Sequence, residues 1–365
     1  MKICQFKPFI GEDEYASIKE CFDINWITEG PKSDEFVKKL CKFMNVKYGV
    51  LAPNGTLGIY LGLKSLNIKN GDEVIVPDFT FIASANAVEM VGATPIFCDI
   101  GDDLQIDINS CEKLINEKTK AIMPVHIYGM ACNMDKVCQF AKKHNLFIIE
   151  NAAQAIGVTW NDKHCGTFGE IGSFSFFADK TITTGEGGFV CTNNADLYKK
   201  LLYLRNQGRI NRGTFIHDEI GYNFRMTDIQ SSIGLIQLQK FDIIKTKKID
   251  ILKKYTKLLN NNSNIQIIKP TPKSNHIPFR VVIITLNESK DGLEKFLKDN
   301  LIETRTFFYP LHLQPCYLSE NKNIKKSIEM YSKGICLPSY PTLTNDDIEY
   351  ISNKINLYFQ QNKNI

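Results

Sequence analysis

The chain has no CxxC cysteine pair, no GxGxxG glycine fingerprint, no block of like charge and no apolar run long enough to cross a membrane. Each absence removes a class of protein. Eleven cysteines are scattered through 365 residues, an odd number without metal-ligand spacing, which argues against a disulfide framework or a zinc site. They read as free thiols filling a core in a reducing compartment. Lysine plus arginine number 44 against 40 acids, a net charge of +4, so no nucleic-acid partner is expected. The N-terminus sets acids where a signal peptide needs an apolar stretch, and no later run approaches the ~18 residues of a span. A cytoplasmic location without a membrane partner is therefore expected. Composition is 43% hydrophobic and 23% charged, that of an ordinary globular protein, and at roughly 150 residues per domain the length suggests about two domains.

What is present is an alternation. Between residues 50 and 195, short apolar runs (Val74 to Val76, Pro95 to Cys98, Ala121 to Val125, Leu146 to Ile149, Ser173 to Phe177, Gly188 to Cys191) alternate with helical stretches such as Leu57-Tyr60-Leu61 and Met134 to His144. This pattern predicts an α/β fold with a mostly parallel sheet. A helical tract from Thr227 to Leu259 ends in the polar run Asn260 to Asn264, whose side chains compete with helical backbone. Beyond it Val281 to Leu286 reads as a strand, with helices at Asp291 to Asn300 and Asp346 to Phe359. The expectation is a large unit, residues 1–245, and a smaller C-terminal α+β unit, residues 246–365.

The segment richest in chemistry is Ser173-Phe-Ser-Phe-Phe-Ala-Asp-Lys180-Thr-Ile-Thr-Thr-Gly-Glu-Gly-Gly188. A lysine just past an apolar strand sits at the carboxyl rim, where open α/β sheets bind ligands. There a partly desolvated amine can lose its proton and attack a carbonyl. Position alone does not distinguish it from a solvated loop lysine. Asn54-Gly55-Thr56 opens a helix whose N–H groups suit a phosphate, although the same residues also make an ordinary cap. Asn151 closes the strand that begins at Leu146. Gly185-Glu-Gly-Gly188 reads as a tight turn.

Taken in order, Trp26 to Pro31, Asn54 to Thr56, Gly71 to Pro77, Thr80-Phe81, Ala93 to Pro95, Pro124 to Gly129, Ala152 to Gly157, Ser173 to Gly188, Gly221 to Met226 and Ile302 to Arg305 resemble the pyridoxal-phosphate (PLP)-dependent aminotransferases of nucleotide-linked keto-sugars. The resemblance implies the aspartate-aminotransferase fold and makes Lys180 the lysine that binds the cofactor aldehyde. Gly55, Thr56 and Ser175 would hold the cofactor phosphate, with Asn223 reaching it from a partner subunit. Phe81 would stack on the ring, and Gln154 would sit beside its phenolic oxygen. It also implies L-glutamate as donor, released as 2-oxoglutarate, a nucleotide-linked 4-keto-6-deoxy sugar as acceptor, and a homodimer with shared sites. Trp26 and Thr28, His217, Arg305 and His312 are the expected substrate contacts, and His126 and Arg225 are further candidates, each with a structural reading beside it.

One position departs from the pattern. Where the family carries aspartate to pair with the pyridine nitrogen, this chain has Asn151, a neutral amide that favours the ring proton less. Glu150 cannot replace it, because neighbours on a strand face opposite ways. A GDP-, UDP- or dTDP-linked acceptor all stay open, as does a cofactor-binding regulator that no longer transaminates.

Overall fold

A computed structural model describes all residues except 1, 210–212, 214, 288, 319–322 and 362–365. Among the described residues the strands are β1 (Tyr48–Ala52), β2 (Glu73–Pro77), β3 (Thr94–Cys98), β4 (Thr119–Ile122), β5 (Phe147–Asn151), β6 (Thr159–Trp160), β7 (Lys163–His164), β8 (Ile171–Ser175), β9 (Gly188–Thr192), β10 (Ile265–Ile267), β11 (Val281–Thr285), β12 (Arg305–Thr306) and β13 (Gly334–Leu337). Seven form the large sheet in the order β1-β9-β8-β5-β4-β2-β3, with β9 antiparallel to both of its neighbours and the other pairings parallel. The α/β expectation holds.

Successive residues of these strands enter different cores. In β2, Val74 and Val76 pack in one cluster and Ile75 in another, and in β9 Phe189 and Val190 divide the same way. Both faces are covered, as parallel sheets require. The predicted strand Ala121 to Val125 stops at Ile122, ahead of Pro124, which cannot donate to a ladder. Val125 then bridges Asn151 alone. The predicted Ser173-to-Phe177 strand is shifted to Ile171–Ser175, leaving Phe176 and Phe177 in the turn that leads to Lys180.

The helical tract from Thr227 is two helices, Asp228–Gln239 and Phe241–Leu259, meeting at Lys240. Thr227 caps the first through its side chain, which accepts from Gln230 N–H at 3.2 Å, in a reciprocal capping box. The second helix spans two cores: Phe241 and Ile244 lie in a large-sheet cluster, whereas Ile251, Tyr255 and Leu259 belong to the cluster under the four-stranded sheet β10-β11-β13-β12.

That smaller sheet is antiparallel and also two-faced. Val281 and Ile283 of β11 turn toward its own helices, while Val282 and Ile284 join Phe79, Val125, Tyr128, Phe279 and Phe307 in a seam cluster. The seam sets the small sheet against the carboxyl rim of the large one. Gly129 is its tightest point: its φ is 81°, and a Cβ there would lie 1.8 Å from the Ile277 carbonyl oxygen. Alanine meets both a disfavoured backbone region and a backbone clash. Gly129→Ala is expected to cost at least about 2 kcal/mol, read as a lower denaturant midpoint; an unchanged midpoint would contradict this account of the seam.

Candidate functional site

The carboxyl rim is where the loops after β1, β2, β5 and β8 meet. After β1, Asn54 caps the helix Gly55–Ser65, its side chain accepting from Leu57 N–H at 3.0 Å. The first N–H groups of a helix have no intrahelical acceptor, so Gly55 and Thr56 begin an end that favours an anion. A Cβ on Gly55 would stand 2.9 Å from Ser175 Cβ. Glycine at 55 therefore allows the helix end to approach the Ser175 hydroxyl, and the two predicted phosphate-holding groups share one cup.

Asn151 ends β5 opposite Ser173 of β8 and is nearly buried. Its Oδ1 accepts from Ala153 N–H at 3.1 Å and its Nδ2 donates to Ser84 Oγ at 2.9 Å. These bonds fix which way the amide faces. Glu150 faces the other way and is fully committed: Oε1 accepts from Phe168 and Gly169 N–H at 2.6 and 2.9 Å, and Oε2 from Gly166 N–H at 2.6 Å. The fourth donor is His126, whose Nε2 lies 3.0 Å from Oε2 while its Nδ1 accepts from Cys132 N–H; Nε2 must therefore carry the proton. Both residues are fully buried, so His126 is structural.

Gln154 accepts from Tyr128 N–H at 2.8 Å, which leaves its NH2 as the far end of the side chain. Tyr128 has a positive φ of 54° and stacks on Phe308, with ring centroids 5.7 Å apart. Phe81 is 59% exposed, touching Phe308 edge-on at 6.4 Å. A large aromatic left open beside the rim is a free stacking face.

Lys180 lies on the turn after β8. The turn is tied by threonine hydroxyls: Thr183 Oγ1 donates to Phe176 O at 3.0 Å and accepts from Gly185 N–H at 2.9 Å, and Thr184 Oγ1 donates to Glu186 O at 2.6 Å. With Gly185 at φ 79°, the glycines make the tight turn read from the sequence. Lys180 Nζ sits 4.6 Å from the centre of the Phe279 ring. Loss of water there pushes its pKa down to about 8; Arg280 and Arg305 push the same way, and Asp179 opposes them. Near neutral pH a useful fraction of this amine is unprotonated.

The expected substrate residues fall in different places. His312 is buried, not open to a ligand: its N–H and Nδ1 both go to Asp78, at 2.7 and 2.9 Å. Burial pushes the Asp78 carboxyl up, and the histidine pulls part of that shift back. Arg305 is half exposed, 3.7 Å from Asp179. Trp26 and Thr28 lie on an exposed loop whose backbone is held by Asp228, through Gly30 N–H at 2.8 Å and Thr28 O at 3.0 Å. Arg205 pairs with Glu29 of this loop and donates to Phe224 O at 3.1 Å. Asn223 is exposed, its Oδ1 accepting from Arg225 Nε at 2.7 Å, and His217 is an exposed loop residue 2.6 Å from Gln207 O. Thus Ser175 and Asn151 end neighbouring strands, with Gly55 against Ser175 and Gln154 in the loop after β5, on the rim that the Lys180 turn leaves, whereas Trp26, Thr28, Asn223 and His217 are exposed.

Several residues at the rim carried no legible signal. Phe279, Arg280 and Lys248 line the cavity beside Lys180 from distant parts of the chain. Lys248 Nζ donates to the carbonyls of Pro278, Phe279 and Ser339 at 3.2 to 3.3 Å. The one available hint was Arg280, a charge at the head of an apolar strand. Among the described residues no cluster of side chains suits a metal, and no helix is long and apolar enough to cross a membrane.

Comparison with known proteins gives the same rim a context. GDP-perosamine synthase of Escherichia coli O157:H7 is 41% identical over 357 residues, 97% of this chain and 98% of that protein. The enzyme of the same name from Vibrio cholerae is 39% identical over 361 residues, with 97% and 98% covered. The putative sugar aminotransferase Spr1654 of Streptococcus pneumoniae, solved in PMP and PLP forms, superposes with a TM-score of 0.94 at 27% identity, covering 99% of this chain and 98% and 99% of those chains. The family model described as DegT/DnrJ/EryC1/StrS aminotransferase matches residues 8–356, and this chain belongs to that family.

Proposed function

We propose that this chain is a PLP-dependent transaminase that moves an amino group from L-glutamate to the keto carbon of a GDP-linked 4-keto-6-deoxy sugar, as a GDP-perosamine synthase would. The observation that carries the reading is the approach of a helix N-terminus to Ser175 at the end of β8, the strand whose following turn bears the desolvated Lys180 amine, in a chain 41% identical to such an enzyme. The residues suit the cofactor. The Gly55 cup would crowd any larger residue, and the exposed Phe81 ring and the Gln154 NH2 flank the same rim.

When bound, PLP supplies an electron-accepting ring. The protein does the rest. Gly55, Thr56 and Ser175 would anchor the phosphate through N–H and hydroxyl donors. Phe81 would hold one face of the ring, and Asn151 its nitrogen edge. Lys180 Nζ, unprotonated in useful fraction near neutral pH, would take the proton from the donor's α-carbon and return it, as a positioned general base and acid. The exposed Asn223, with Phe215, Ile216 and Ile220 left 72 to 83% exposed nearby in sequence, supports a homodimer in which this loop completes a partner's site. The eleven free cysteines favour a reducing, cytoplasmic location.

Incubating the enzyme with glutamate and GDP-, UDP- or dTDP-linked 4-keto-6-deoxy sugars, with product mass as readout, tests the substrate. Amination of the GDP sugar alone is expected, and exclusive amination of a UDP or dTDP sugar would overturn the choice of nucleotide. For Asn151→Asp, the Ser84 hydroxyl can reverse its bond and Ala153 N–H keeps its acceptor, so the fold should tolerate the change. A carboxylate there favours the ring proton, and half-reaction with glutamate is expected at an equal or higher rate by stopped-flow absorbance. A fall of about tenfold or more would show that the amide is an adapted feature.

A further inference from the structure

Lys180 is one half of a paired contact between the two sheets. Its predecessor Asp179 forms an ion pair with Arg280, and these side chains are only 7% and 6% exposed. Arg280 follows Phe279, whose ring lies 4.6 Å from Lys180 Nζ and 4.7 Å from the Arg280 guanidinium carbon. Two consecutive residues at the head of β11 thus grip two consecutive residues of the lysine turn. The second arm of Arg280 donates to Gln5 Oε1 at 2.5 Å. Gln5 is held on the small-sheet side, its N–H donating to Glu303 Oε2 at 3.2 Å, next to the Ile3–Ile302 bridge.

The pair is weak evidence for a stabilising role. Asp179 Oδ1 and Gln5 Nε2 are buried without a hydrogen-bond partner among the described residues, and a buried ion pair with unmet bonding capacity seldom repays its desolvation. Its other effect falls on the neighbouring amine. Asp179 favours an ammonium at Lys180, and so does the face of the Phe279 ring. Arg280 and the half-exposed Arg305 oppose it, and Lys248 and Lys7 line the same cavity. Arg280 also holds the carboxylate that would otherwise be free to turn to the lysine.

We propose that Asp179 and Arg280 are positioning residues that fix Lys180 and set its charge from opposite sides, so that the state of the amine depends on the small sheet being docked against the rim. The proposal rests on Lys180 as the cofactor lysine, but its test does not require turnover. Removing the acid should make the amine easier to deprotonate. Removing the arginine should make it harder, since a repelling cation leaves and Asp179 is released toward it.

The experiment measures the pH dependence of Lys180 labelling by trinitrobenzenesulfonate in the full-length, cofactor-free chain, followed by peptide mass mapping, and of the absorption spectrum of the loaded enzyme. Asp179→Asn is expected to lower the labelling midpoint and Arg280→Gln to raise it. Each should change the ratio of neutral to protonated amine at pH 7.5 several-fold, a midpoint displaced by a full pH unit corresponding to about tenfold in that ratio. Asp179→Glu should restore the wild-type midpoint. The double variant Asp179→Asn with Arg280→Gln removes both charges of the pair together, so it remains informative if a single variant folds poorly, and its midpoint should lie between those of the singles. Midpoints that move together in both single variants, or a double variant and an Asp179→Glu variant that both fail to follow this pattern, would overturn the proposal. The expected midpoint changes without any transamination would instead sink the functional reading and leave this one standing.

Discussion

An amine that must work as a base near neutral pH has to be kept partly out of water without being left beside a charge that locks it on. If Lys180 is that amine, as proposed, the structure offers both conditions: the Phe279 ring covers Nζ and keeps water from it, and Arg280 engages the adjacent carboxylate, Asp179. Both partners come from the small sheet. On that proposal the docking of the small sheet becomes a condition of the chemistry, and the alternation along β11, with Val282 and Ile284 facing the seam and Val281 and Ile283 facing their own helices, makes one strand serve both ends.

The neighbouring strand applies the same economy. Glu150 and Asn151 are adjacent and so face opposite sides of β5. Glu150 is used entirely in structure, satisfying three backbone N–H groups and His126, and removing it would strand four donors, two of them in buried bonds. Asn151 is held by Ala153 and Ser84. The acid beside Asn151 thus has no freedom to take over from the amide, and any group that Asn151 meets at the rim, it meets uncharged.

Local pattern made the large sheet legible. Apolar runs marked strands because both faces of a parallel sheet are buried, and the threonine- and glycine-rich run after Phe177 marked a turn whose hydroxyls do tie it. Ends were harder: Pro124 cut β4 short, and the Ser173 run was shifted by two residues because Phe176 and Phe177 are apolar but lie in the turn. The Thr227 tract hid a break at Lys240, since that residue is a good helix former and the chain resumes its helix at Phe241. The early strand β1 and the helices before it were not read at all.

The site divided along the same line. Gly55, Ser175 and Asn151 lie at helix or strand ends, and Gln154 and Lys180 in the turns just beyond them, positions that topology makes legible as candidates. Histidines do not announce their partners, so His312 was expected at the substrate and is found pinned to Asp78. Phe279 and Arg280 lie about a hundred positions from the lysine they enclose, a relation that only folding creates. The most direct test of the whole account is reductive trapping with borohydride in the presence of pyridoxal phosphate, followed by peptide mass mapping. The account predicts a pyridoxyl mass on Lys180 and its loss in Lys180→Ala; a protein that carries no such mass at position 180, or carries it on Lys248 instead, would contradict it.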